Sequence, residues 1–207
     1  MIEYLTQVDT NFFLFLNGIN SPFWDTVMWY LSGKLTWVPL YLIIIYFIFR
    51  KHRFETLWIL IAIALVVTAT DQLSVHLFKN VFERLRPCHN PDLSGMVHLV
   101  NGKCGGKFGF VSSHAANTFG VALFLLNVFK IKWFSISILL WATIVSYSRI
   151  YLGVHFPGDV IVGATLGAIV GWAIWKLLDY ISCRYNLLTY PNKSKVFNPN
   201  YSDNTKH

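Results

Sequence analysis

Long apolar runs separated by short polar and basic connectors dominate the chain. A helix needs about 17 to 25 apolar residues to cross a bilayer. Stretches of or near that length fall at 37–50 (extended back through Thr36), 56–78, 114–129, 133–151 and 160–181. A further stretch, 12–31, is interrupted by Asn17-Gly18, Asn20-Ser21-Pro22 and Asp25, which fits either a bent span or an interfacial helix followed by a short one. Six crossings is the preferred count. The expected fold is an all-α integral membrane protein, a six-helix transmembrane bundle with a long noncytoplasmic loop between its third and fourth spans. Residues 1–185 form one membrane-embedded domain, and 186–207 read as a polar, flexible cytoplasmic tail. Gly163, Gly167 and Gly171 recur every fourth residue on the last span and mark a close-packing helix face.

Composition agrees with this pattern. The 207 residues are 55% hydrophobic and only 13% charged, which excludes an ordinary soluble fold. The net charge of +7 does not point to nucleic acid, because the basic residues sit at the ends of apolar segments instead of along one stripe. Membrane lipids are the expected partner. The start, Met1-Ile2-Glu3-Tyr4, has no basic n-region or cleavage site, so no removed signal peptide is expected. Arg50-Lys51-His52-Arg53, Lys130-Ile131-Lys132 and the tail carrying Arg184 fall on one side of alternating spans, the cytoplasmic side by the positive-inside rule. The segments 79–113 and 151–159 then share the opposite face. This places the protein in the cytoplasmic (inner) membrane as a multi-pass protein with its site on the extracytoplasmic face.

Three polar clusters converge there. Lys79, Arg86 and Arg149 are cations, and the arginines can each grip two oxygens of a phosphate. Ser112, Ser113 and His114 open an apolar helix, whose amides and dipole favour an anion. His155 and Asp159 lie four residues apart, so that the carboxylate can fix the imidazole tautomer and leave the other nitrogen to attack. His114 is then available as general acid. Singly, Lys79 and Arg86 read as snorkelling side chains and Arg84 as a bystander or lipid-headgroup contact. Together the clusters fill the roles of phosphoryl transfer without a metal or other cofactor.

Lys79-x6-Arg86-Pro87, Ser112-Ser113-His114 and Ser148-Arg149-x5-His155-x3-Asp159 resemble, in order and spacing, the signature motifs of the type 2 phosphatidic acid phosphatase superfamily. That superfamily includes membrane lipid phosphatases, soluble acid phosphatases and vanadium haloperoxidases. The resemblance implies a metal-independent phosphatase with a phosphohistidine on His155, oriented by Asp159. His114 would protonate the leaving group, and Lys79, Arg86, Ser112, Ser113 and Arg149 would hold phosphate. The chain departs from the family's Pro-Ser-Gly-His at Val111-Ser112-Ser113-His114, where Ser113 replaces a glycine.

Undecaprenyl diphosphate is the first expected substrate, with lipid A phosphate, phosphatidylglycerol phosphate and phosphatidate as alternatives. The rival from another class is an anion or lipid transporter, which would need neither the His155–Asp159 pair nor a second histidine. Haloperoxidase chemistry is a third option, set apart because soluble haloperoxidases lack this density of spans. Asp71, inside the 56–78 stretch, is expected to turn away from the Lys79 face and to bond between helices, while Gln72 shares that face. Trp133 and Tyr180 are expected as interface anchors. Cys88 and Cys104 face the oxidising compartment and are expected to form a disulfide, with Cys183 reduced on the cytoplasmic side. A zinc site from Cys88, His89, His98 and Cys104 is the alternative, with a spacing that matches no familiar pattern.

Overall fold

The computed structural model describes residues 2–185, and the tail expected over 186–207 lies outside them. Within that range the chain is helical apart from connecting loops and one isolated antiparallel bridge, Leu85–Phe108. The segment 12–31 is not a single bent span. Helix α1 covers Ile2–Gly18 and α2 covers Pro22–Ser32. Ser21 between them is extended and its hydroxyl accepts the Trp24 N–H, with Pro22 at the first helical position, a strong helix-start signal. The 11 residues of α2 rise on the order of 16 Å, well short of a bilayer core.

Helix α3 (Val38–His52) reverses at Arg53, where φ is 45°, into α4 (Thr56–Leu73). A π-helical turn, Ser74–Lys79, carries α4 into the short α5 (Asn80–Phe82). After the loop come α6 (Ser113–Phe129), α7 (Lys132–Tyr151) and α8 (Pro157–Tyr185). The doubled-back stretch Leu35–Phe82, Lys132–Tyr151 and Pro157–Tyr185 are long and apolar enough to cross a membrane, and α6 is a shorter apolar helix. Many large apolar side chains point outward from them, among them Leu42, Phe47, Leu65, Ile144 and Ile169. An apolar exterior over an apolar core suits a hydrocarbon solvent.

The core joins Ile44, Ile48, Ile59 and Val66 to Phe124, Leu125, Val128, Trp141 and Leu178. Its tightest contact is α6 against α8. A Cβ placed on Gly167 would lie 2.0 Å from the Ala116 carbonyl oxygen, and one on Gly171 would lie 2.1 Å from that of Gly120. The glycine face seen in the sequence thus brings two backbones together.

Polar contacts fix the two ends of the bundle. Lys51 donates to the carbonyls of Val128 and Phe129 at 3.1 and 3.2 Å, so the basic end of α3 meets the C-terminus of α6. At the other end, the polar side chains of α1 and α2 reach the loops and the termini of α7 and α8. Asn17 donates to the carbonyls of His98 and Tyr151, Asp25 accepts from Tyr151 at 2.7 Å, and Ser32 bonds Arg149. The pair therefore folds across the loop end of the bundle.

Candidate active site

Two helix starts form the floor of the site. Ser112 is fully buried and caps α6, its hydroxyl accepting the Ala115 N–H at 3.5 Å, while its own N–H donates to the Asp159 carbonyl at 3.0 Å. At α8, Pro157 occupies the first position and Asp159 reaches back to accept the Phe156 N–H at 3.0 Å, half of a capping box. These caps lock the two helix starts together and present Ser113, His114 and His155 to one cavity. Ser112, expected to hold phosphate, is not among the residues lining that cavity.

Lys79 ends the π-helical turn and donates to the Ser113 hydroxyl at 2.7 Å. The serine that replaces the family's glycine therefore positions a cation. Arg86 is buried, and its guanidinium donates to the Val154 carbonyl at 3.1 Å and meets His155 Nε2 at 3.0 Å. A guanidinium only donates, so Nε2 is the acceptor and the ring proton is assigned to Nδ1. Burial first, then the charges of Arg86, Arg149 and Lys79, push the His155 pKa well below its ordinary value, so the imidazole is neutral. Arg149, on the last turn of α7, completes the trio of cations and is held by Ser32.

Asp159 differs from expectation in one respect. Its Oδ2 lies 3.5 Å from His155 Nδ1, an approach longer than a good hydrogen bond. Its stronger partner is Arg84, whose Nη1 donates to Oδ1 at 2.8 Å. The same guanidinium donates to Asp9 on α1 at 2.7 Å and sits 4.1 Å over the Phe156 ring. Asp9 in turn accepts the Gly158 N–H at 2.8 Å. The bystander reading of Arg84 is thereby corrected: it ties α1, the first-motif loop and the start of α8 together. The sequence carried no cue to Asp9, which lies on a separate helix.

The long loop supports Arg86 from behind. Cys88 and Cys104 form a disulfide, with Cα atoms 5.9 Å apart, which removes both thiolates from the zinc alternative. Of the two histidines in that alternative, His98 pairs with Asp25 at 2.8 Å and His89 meets the Gly105 carbonyl at 3.2 Å. Gly109 packs between Arg86 and Asp159; a Cβ there would lie 3.1 Å from Arg86 Cγ and 3.2 Å from Asp159 Oδ2. Cys183 is free and exposed near the far end of α8.

The cavity has a volume of about 560 Å³. Lys79, Arg86, Ser113, His114, Arg149 and His155 line its polar end, and Tyr41, Ile63, Val121, Leu125 and Trp141 line its continuation between α3, α4, α6 and α7. Asp71 also lines it, against the expectation that it turns away, and Gln72 is exposed. The π-helical turn explains both: its wider i→i+5 turns advance fewer degrees per residue, so Lys79 lags into phase with Asp71. Chemically, the cavity can surround an anion with the three motif cations, and with Lys34, which also lines it, while offering one neutral imidazole as nucleophile and a second imidazole as proton donor. The apolar continuation can take hydrocarbon.

Residues 56–183 match the PAP2 superfamily model, a span that holds all three motifs, while Ser32 and Lys34, which also line the cavity, precede it. The chain belongs to the PAP2 superfamily. It is 44% identical over 187 residues to a lipid A 4′-phosphatase of Bacteroides thetaiotaomicron, covering 89% of this chain and 83% of that protein. A second lipid A 4′-phosphatase, from Porphyromonas gingivalis, is 40% identical over 89% of this chain and 78% of its own length. An undecaprenyl-diphosphatase of Sulfolobus acidocaldarius is 30% identical over 83% of this chain and 75% of its own. Among solved structures, the PAP2-type phosphatidylglycerolphosphate phosphatase of Bacillus subtilis aligns over 88% of this chain and 89% of its own, with a TM-score of 0.64 and 27% identity. This PAP2 protein is a membrane lipid phosphatase.

Proposed function

We propose that the protein removes the 4′-phosphate of lipid A through a phosphohistidine on His155. The observation that carries the reading is the coincidence, in one cavity, of an acceptor Nε2 on neutral His155, three cations and an apolar continuation. Its preference for lipid A over the undecaprenyl diphosphate first expected rests on relatives at 44% and 40% identity against one at 30%. In this mechanism His155 Nε2 attacks phosphorus in line with the sugar oxygen. Lys79, Arg86 and Arg149 hold the equatorial oxygens, and His114 gives its proton to the departing alkoxide. Water then attacks the phosphohistidine, His114 takes up its proton, and phosphate leaves with His155 neutral again. Asp159 stabilises the imidazolium character that develops on His155. No role is assigned to a metal ion.

In the topology we favour, α3, α4 with α5, α6, α7 and α8 make five crossings, and α1 and α2 lie across the loop end. The Arg50–Arg53 turn, the Lys130–Lys132 connector and Arg184 then face the cytoplasm. The site and the disulfide face the extracytoplasmic side of the inner membrane, where a disulfide persists.

The test is phosphate release from lipid A by the purified protein in detergent with EDTA. Wild type is expected to retain its rate with EDTA, and His155→Ala to lose several orders of magnitude. Release that survives His155→Ala, or that stops with EDTA, defeats the mechanism. A higher kcat/KM on undecaprenyl diphosphate than on lipid A defeats the substrate assignment.

A further inference from the structure

Asp71 places a carboxylate in the cavity wall between the cations and the aliphatic continuation, and acids at such depth serve a ligand or a partner. Its level is fixed by its neighbour: Thr70 donates to Asn117 Oδ1 at 2.6 Å, which sets the Asp71 turn of α4 beside the Asn117 turn of α6. Asn117 is four residues beyond Ser113, so this level lies one helical turn, about 5.4 Å, below the phosphate-facing end. The Asn117 oxygen is engaged by Thr70, which leaves its amide N–H groups for the cavity it lines. One turn deeper the walls are Val67 and Val121, and hydrocarbon continues from there. The polar band is therefore a single turn thick, with cations above and aliphatic side chains below.

A band of that thickness matches one sugar ring. A free hydroxyl or the amide N–H of the acylated sugar can donate to the Asp71 carboxylate and an oxygen of the sugar or its amide can accept from the Asn117 amide, while the phosphate rises to Lys79, Arg86 and Arg149 and acyl chains descend. A lipid diphosphate would set its second phosphate, an anion, against the Asp71 carboxylate. Discrimination of this kind combines attraction for one ligand with repulsion of the other.

We infer that Asp71 and Asn117 form a specificity shelf that selects a phosphomonoester on a hydroxylated sugar ring and rejects a lipid diphosphate. The inference rests on the lipid phosphatase mechanism proposed above and deepens its substrate class. The competing role for Asp71 is as a counterion to Lys79, which it reaches electrostatically along the same face of the helix. A counterion would support phosphate binding for both substrates alike.

The experiment compares kcat/KM on 4′-phosphorylated lipid A and on undecaprenyl diphosphate for full-length wild type, Asp71→Asn and Asn117→Leu in detergent. Asp71→Asn is expected to lower turnover of the sugar phosphate and raise that of the diphosphate, shifting their ratio by about tenfold or more. Asn117→Leu is expected to move the ratio in the same direction, and it reads the shelf independently if Asp71→Asn does not fold. A ratio that stays fixed while activity still depends on His155 overturns the shelf alone. Turnover that survives His155→Ala overturns the underlying mechanism instead.

Discussion

Arg84 carries its meaning through two partners that sit on opposite sides of it in the chain. Read locally, a basic residue near the end of a span is a snorkelling side chain. Its contacts with Asp9 and the fully buried Asp159 make it the residue that holds the start of α8 in place beneath His155. Arg84→Ala is expected to lower kcat by up to about a hundredfold through misplacement of His155, with KM changed much less and Arg84→Lys partly restoring the rate. Steady-state kinetics distinguishes this from the headgroup contact read from the sequence, which would raise KM and leave kcat intact. The residues that line the polar end of the cavity were legible because motif spacing records them: Lys79, Arg86, Ser113, His114, Arg149 and His155. Asp71 lines the cavity against its sequence periodicity, since a regular 3.6-residue repeat cannot anticipate a π-helical turn. Ser112 carries a motif position but its geometry serves the helix cap.

At the scale of elements, the glycine face of α8 is the feature the sequence displayed most plainly, although its partner could be named only in three dimensions. Gly163, Gly167 and Gly171 lie against Ser112, Ala116 and Gly120 of the α6 segment. This contact brings the two helix starts of the site together, so packing and chemistry share one seam. Gly167→Ala is expected to push α6 and α8 apart, to destabilise the protein by about 1–3 kcal/mol and to reduce activity in parallel. Thermal melting in detergent checks this against Gly18→Ala, where a Cβ meets nothing within 4 Å; equal melting temperatures for the two variants would refute it. The first two helices were the least legible elements. Asn17, Asn20, Ser21 and Asp25 gave a break in the pattern, but whether the segment crossed or folded over depended on contacts with Arg149, Tyr151 and His98.

For the molecule as a whole, the disulfide matters because of where its ends lie. Cys88 follows Arg86 by two residues, and Cys104 precedes Gly105, which packs beside the Arg86 guanidinium. The bridge therefore clips two lengths of loop around the buried Arg86 guanidinium. Replacing both cysteines by serine is expected to lower stability by about 3 kcal/mol and to weaken lipid turnover, measured by melting and by phosphate release. Full activity in the double variant would separate the bridge from the site. Sidedness made the pairing legible in the sequence. The fold of the 84–110 loop was not legible, because turns and a single bridge leave no periodic signature.

The clamp around Arg84 also bears on biosynthesis. Asp9 lies 75 residues before Arg84 and Asp159 lies 75 residues after it. A nascent chain inserting helix by helix makes the first contact early but has no Asp159 to seat until α8 emerges. The clamp that seats His155 is thus completed only when the start of α8 arrives, late in synthesis.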